Sequence, residues 1–169
     1  MAELKIPLAS NEITLRTEDL SRAMFCALAI SQEDDVKAVE DKLKEHPDLQ
    51  FEQIHISVRN RDGEPMQKFV VAFAEDIIFI AFQGMVTPTD FMISDLQFDE
   101  QLEVNFHKGF FARSNVFYGG QSPYTQLLLK ELLRSKQRVI FCGHSLGGAV
   151  SHMVLLRFLL ENGLHHPSL

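Results

Sequence analysis

A run of apolar residues, Val139 to Cys142, meets Gly143-His144-Ser145-Leu146-Gly147-Gly148, and a longer apolar stretch follows to Leu160. Few backbones fit this order. The first run has the length of a strand, and the second has the length of a helix. Only a sharp turn separates them. A turn that tight needs small flanking residues, and glycine supplies them. The segment matches G-x-S-x-G in the strand-to-helix context that a nucleophile elbow requires. Ser145 then projects from the turn as the candidate nucleophile, with Gly143 and Gly147 as the elbow glycines. Backbone N–H groups at the start of the following helix, with its positive dipole end, can stabilise a developing oxyanion. The N–H of Leu146, the residue after the nucleophile, is the expected donor.

The rest of the chain reads as alternating strands and helices. Thr17 is placed to cap a helix running to about Ile30, with Leu20, Met24, Ala27 and Leu28 on one face. A second helix fits residues 32–45, where Val36, Val39 and Leu43 recur among charges, and Pro47 stops it. The period then shortens. Ile54, Ile56 and Val58 alternate with polar residues, Phe69, Val71 and Phe73 alternate again, and Ile77 to Phe82 is continuously apolar. These read as two half-buried strands and one strand covered on both faces. Asp62-Gly63 marks a turn, though in a loop longer than two residues. Thr89 can cap a short helix over 90–96, and Ser122-Pro123 starts another that continues through Leu132. Val139 to Cys142 reads as a short buried strand, and Asn162-Gly163 stops the last helix.

This order makes one α/β domain the simplest account. With 169 residues the chain can bury roughly 68–70% of its unfolded surface. The net charge of −7 argues against a phosphate-backbone binder, which needs a concentrated basic surface, so no nucleic-acid partner is expected. The charge is uneven, net −11 over residues 1–100 and +4 over residues 101–169, which reads as solvated acidic helices in the first part. Cys26 and Cys142 each sit in apolar surroundings and make no disulfide framework. The first ten residues lack the apolar core of a secretory signal, and no apolar run reaches the ~18 residues of a membrane span. A cytoplasmic location is the expectation, with no transmembrane segment, cofactor or metal. A protein partner is left unspecified.

The second oxyanion donor should come from an earlier strand end. Phe82-Gln83-Gly84-Met85 follows the buried strand, and Gly84 allows close backbone approach. The Met85 N–H is the candidate. Together the stretches IIFIAFQG at 77–84, DFMISDL at 90–96, HKGFF at 107–111 and IFCGHSLGGAV at 140–150 resemble the class 3 lipases, the fungal triacylglycerol-lipase-like α/β-hydrolases. The likeness spans roughly residues 68–161. It implies an α/β-hydrolase-like sheet with flanking helices, truncated after the nucleophile-elbow helix. It divides the chain into an N-terminal helical segment, 1–50, and a partial hydrolase domain, 51–169. It also implies serine acyl transfer on lipid esters such as acylglycerols, with Ser145 as nucleophile and Met85 and Leu146 as oxyanion donors. The sequence departs from the family at Gln83 and Met85, where Arg and Ser or Thr are usual, and at Phe91, where the family has Trp. Met85 keeps a backbone donor but lacks the hydroxyl, and one lost donor can cost ~10²–10³ in rate.

A serine nucleophile needs a base, and the base needs an orienting acid. In α/β-hydrolases both follow the serine, acid first. After Ser145 the sequence offers Glu161, His152, His165 and His166 but no Asp. His152 lies about 10 Å along the helix and Glu161 about 24 Å, at 1.5 Å rise per residue. His165 and His166 follow the helix, and a four- or five-residue return spans at most ~18 Å. None of these completes a triad. His107 precedes the serine and reads as a packing or hydrogen-bonding residue. Three readings stay open: a partial serine hydrolase inactive alone, a non-catalytic binding or regulatory module, and an esterase completed by a partner chain supplying His and Asp.

Overall fold

The computed structural model describes residues 4–8, 11–32, 35–45, 53–57, 67–74, 76–85, 98–101, 104–118, 123–134 and 137–162. A hairpin of β1 (Leu4–Leu8) and β2 (Asn11–Leu15) precedes helices α1 (Thr17–Gln32) and α2 (Val36–Lys44). Strands β3 (Gln53–Ser57), β4 (Phe69–Ala74) and β5 (Ile77–Phe82) follow. A second hairpin, β6 (Phe98–Gln101) and β7 (Val104–His107), leads into α3 (Lys108–Tyr118) and α4 (Pro123–Arg134). The chain then forms β8 (Arg138–Gly143) and α5 (Leu146–Glu161). The expected turn at Asp62-Gly63, the helix over 90–96 and the stop at Gly163 lie outside the described residues.

The main sheet has the order β3-β4-β5-β8. Its first three strands form the antiparallel meander read from the alternation, with Phe69 opposite Phe82 and Ala74 opposite Ile77. β8 joins parallel to β5, with Ile77 opposite Arg138 and Phe82 opposite Gly143. A parallel neighbour requires a crossover, and the second hairpin, α3 and α4 supply it.

Successive strand residues face opposite sides, so the sheet carries two cores. On one side Val70, Ala72, Ile77, Phe79 and Ala81 pack with Ala23, Cys26 and Ile30 of α1 and Val39 and Leu43 of α2. On the other, Phe69, Val71, Ile78, Ile80 and Phe82 pack with Phe117, Leu128, Leu132, Val150, Val154 and Phe158 from α3, α4 and α5. The result is three layers, helices on both faces of one sheet.

This layering revises three sequence readings. β4 is buried on nearly every residue rather than on one face, because helices cover both sides. α1 buries Ala23, Cys26, Ala27 and Ile30, while Leu20 and Met24 are 48% and 62% exposed. Small side chains let the helix axis lie close to the sheet, so the alanine and cysteine stripe faces inward. β8 is half-buried along its whole length rather than buried, since among the described residues it is paired only through β5.

Local chemistry sets the helix ends. Asp35, extended at φ −114° and ψ 158°, caps α2 by accepting from Ala38 N at 2.9 Å. At α1 the helix begins at Thr17. Asp19 reaches back from the first turn and its Oδ2 accepts from Arg16 N at 3.2 Å. The same oxygen accepts from Arg138 Nη1 at 2.7 Å, and Arg138 Nη2 donates to Asp76 at 2.9 Å. That guanidinium holds the exposed Asp76 carboxyl below the usual carboxylate range.

Candidate active site

β8 ends at Gly143, α5 begins at Leu146, and two residues make the turn between them. Ser145 sits at φ 53° and ψ −122°, where side-chain-bearing residues are rare. Such a conformation costs of order 1–3 kcal/mol and persists only when the surroundings enforce it. Here they do. A Cβ on Gly143 would run into the Gly147 carbonyl and come within 2.7 Å of Gly148 N. A Cβ on Gly147 would strike the Phe82 carbonyl and lie 2.8 Å from Gln83. The turn is thus packed backbone against backbone, and only hydrogen fits at both glycines.

Ser145 occupies the N-cap position of α5, yet its side chain makes no capping hydrogen bond, and the residue is exposed. Helical bonding starts with Gly147 N donating to His144 O and Gly148 N donating to Ser145 O, each at 2.9 Å. The N–H of Leu146, first in the helix, has no intrahelical acceptor by geometry. An exposed hydroxyl thus stands beside a donor without an intrahelical acceptor, at the positive end of a 16-residue helix.

The end of β5 lies alongside. A Cβ on Gly84 would come 2.8 Å from the His144 carbonyl, so the two turns are in direct contact. Met85 follows and is 45% exposed. Three residues outside the sequence reading hold this segment. Gln67, fully buried, donates from Nε2 to Gln83 O at 2.9 Å and to Lys68 O at 3.1 Å. Arg113, also buried, donates to Gln67 Oε1 at 3.3 Å. Ser31 Oγ accepts from Gly84 N at 3.0 Å and donates to Ala27 O at 2.7 Å, tying the segment to α1. No local motif marks these residues, because each works through a partner distant in the chain.

The remaining candidates disperse. His107 stacks on Phe110 with ring centroids 4.1 Å apart, at the start of α3. His144 and His152 are exposed. Glu161 accepts from Arg157 Nη2 at 3.2 Å, and Arg157 lies over the Phe111 and Tyr118 rings. That cluster joins α3 to α5. His165 and His166 lie outside the described residues. Among the described residues, no three His, Cys, Asp or Glu side chains converge as a metal site, and no helix is long and apolar enough to cross a membrane.

The chain is similar in fold to the triacylglyceride lipase of Rhizomucor miehei, with TM-score 0.57 and 19% identity over 87% of this chain and 57% of that one. It is also similar to a fungal lipase solved with an inhibitor, with TM-score 0.55 and 16% identity over 88% of this chain and 57% of that one. A triacylglycerol lipase whose catalytic centre is a serine protease triad gives TM-score 0.53 and 18% identity, over 88% and 58%. The chain therefore spans a little under three-fifths of the length of these structures and has part of the α/β-hydrolase fold. No curated protein sequence matches it. The family profile of Lipase (class 3) matches residues 79–168, just over half of the chain and including the β5 end and the whole elbow. On that match the chain belongs to the class 3 lipases.

Proposed function

We propose that this chain carries the nucleophile half of a lipase-like serine hydrolase acting on carboxylic esters of lipids, acylglycerols among them. The observation that carries the reading is the Ser145 backbone, held at φ 53° between a parallel strand and a helix by glycines that admit no side chain. In this reading the Ser145 hydroxyl attacks the ester carbonyl. The N–H groups of Leu146 and Met85 receive the developing oxyanion, and Gly143 and Gly147 hold the turn. The contact between Gly84 and the elbow supports the Met85 role, since it brings the β5 end to the serine.

The acid and the base belong to sequence beyond the elbow helix, so the chain alone is proposed to be inactive. The proposed location is the cytoplasm, a reading supported by two free thiols. Reading the transcript past the codon for Leu169 tests the fragment proposal. A continuing frame that encodes an acid and then a histidine is expected, and a genuine stop codon there would overturn it. The runner-up, a non-catalytic binding module on a hydrolase scaffold, rests on the same missing groups. A fluorophosphonate probe tests the runner-up. Labelling that disappears in Ser145→Ala counts against the binding module.

A further inference from the structure

Two thiols converge where α1 crosses the sheet. Cys142 donates from Sγ to the Ala23 carbonyl at 3.5 Å. Cys26 lies one turn further along α1, on the same inward face, and both sulfurs belong to the core on that side of the sheet. A helical side chain leans toward the helix N-terminus, which carries the Cys26 sulfur back toward that same carbonyl. Burial holds the Cys26 thiol well above its ordinary range, and Cys142 adds to the rise, a second sign that the two groups are close. Ala23 and Ala29 of α1 are buried in the same core.

We propose that Cys26 and Cys142 are an oxidisable pair that closes to a disulfide between α1 and β8 when the protein meets hydrogen peroxide. Cys142, half-buried, is reached first. Its sulfur takes one peroxide oxygen as a sulfenic acid, and the other oxygen leaves as water. The Cys26 sulfur then attacks the Cys142 sulfur, an S–S bond forms, and the S–O bond breaks with release of a second water. The two thiol hydrogens and the two peroxide hydrogens leave in those waters. Thiolate is the reactive form. Burial pushes the Cys142 thiol up to about 12, so closure is slow. The bond would tie the strand to α1 directly before Gly143, on the helix whose Ser31 already holds Gly84.

The test exposes the folded chain to hydrogen peroxide, removes the peroxide with catalase, unfolds the protein and blocks free thiols with N-ethylmaleimide. The expected result is a mass lower by about 2 Da with no maleimide added. A tryptic species joining the Cys26 and Cys142 peptides, separated by dithiothreitol, is expected with it. Cys26→Ser and Cys142→Ser should each abolish that species. Two maleimides per chain, a sulfinic acid at either cysteine, cross-links only between chains, or closure only in denaturant would each overturn the proposal.

Discussion

Ser145 is strained because its neighbours leave the backbone no alternative, and that separates two substitutions with the same loss of hydroxyl. Ser145→Gly removes the conformational cost and should raise stability by about 1 kcal/mol after glycine's own entropy is counted. Ser145→Ala keeps the cost and should leave stability unchanged. Urea unfolding of the two variants checks this, and equal midpoints would show that the turn is relaxed. Gly147→Ala drives a methyl group into the Phe82 carbonyl and should cost about 3 kcal/mol, since backbone on both sides cannot yield. The same measurement reads it. These residues are legible in sequence because the elbow is a local motif, complete within a few positions. Gln67, Arg113 and Ser31 are not legible. Their partners lie 16, 46 and 53 residues away, and only folding brings each polar group to the one that satisfies it.

The elements that carry the site were legible where hydrophobic period and length agree. β5, β8 and α5 follow directly from two short apolar runs and one long one. α3 does not. Its sequence KGFFARSNVFY has a glycine, an asparagine and three phenylalanines, all weak helix formers. The helix is held by packing instead, with Phe117 against Phe69 and Phe82 at 5.0 and 5.7 Å. Arg157 adds stacking over Phe111 and Tyr118 from α5. At α1 the apolar stripe pointed to Leu20 and Met24, yet close approach to the sheet selected the small face. Asp19 fixes that approach at the other end of β8, buried to 2% beneath Arg138. Asp19→Ala removes a charged acceptor from both Arg138 and the Arg16 N–H, and should cost about 2–3 kcal/mol. Thermal unfolding measures it, and a loss under half a kcal/mol would show that Arg138 reaches water freely.

For the molecule as a whole, the two-sided core sets the pattern of stability. β4 and β5 are covered on both faces, whereas β8 is half-buried. Hydrogen exchange should therefore be slowest in β4 and β5 and faster at β8 amides that point away from β5. Uniform protection across all four strands would contradict this. The core also makes the protein alkali-sensitive. Burial raises the Tyr118 phenol and both thiols, Cys142 to about 12. A raised acid binds its proton more tightly when folded, so its stabilisation is complete below the unfolded pKa and lost as pH climbs toward the folded one. Stability should fall from about pH 8.5, by up to ~1.4 kcal/mol per pH unit for each buried thiol. Urea midpoints between pH 7 and 10 check the slope, which should flatten in Cys142→Ser. Residue order alone determined the strand, turn and helix of the elbow, because one sharp turn admits only glycine around its serine. It also determined the antiparallel meander, through the change from helical to alternating period. Tertiary structure alone decided which face of α1 is buried, which distant side chains hold the β5 end, and that two cysteines far apart in the chain meet. Those outcomes depend on distances between layers, and a linear pattern of polarity carries no distance.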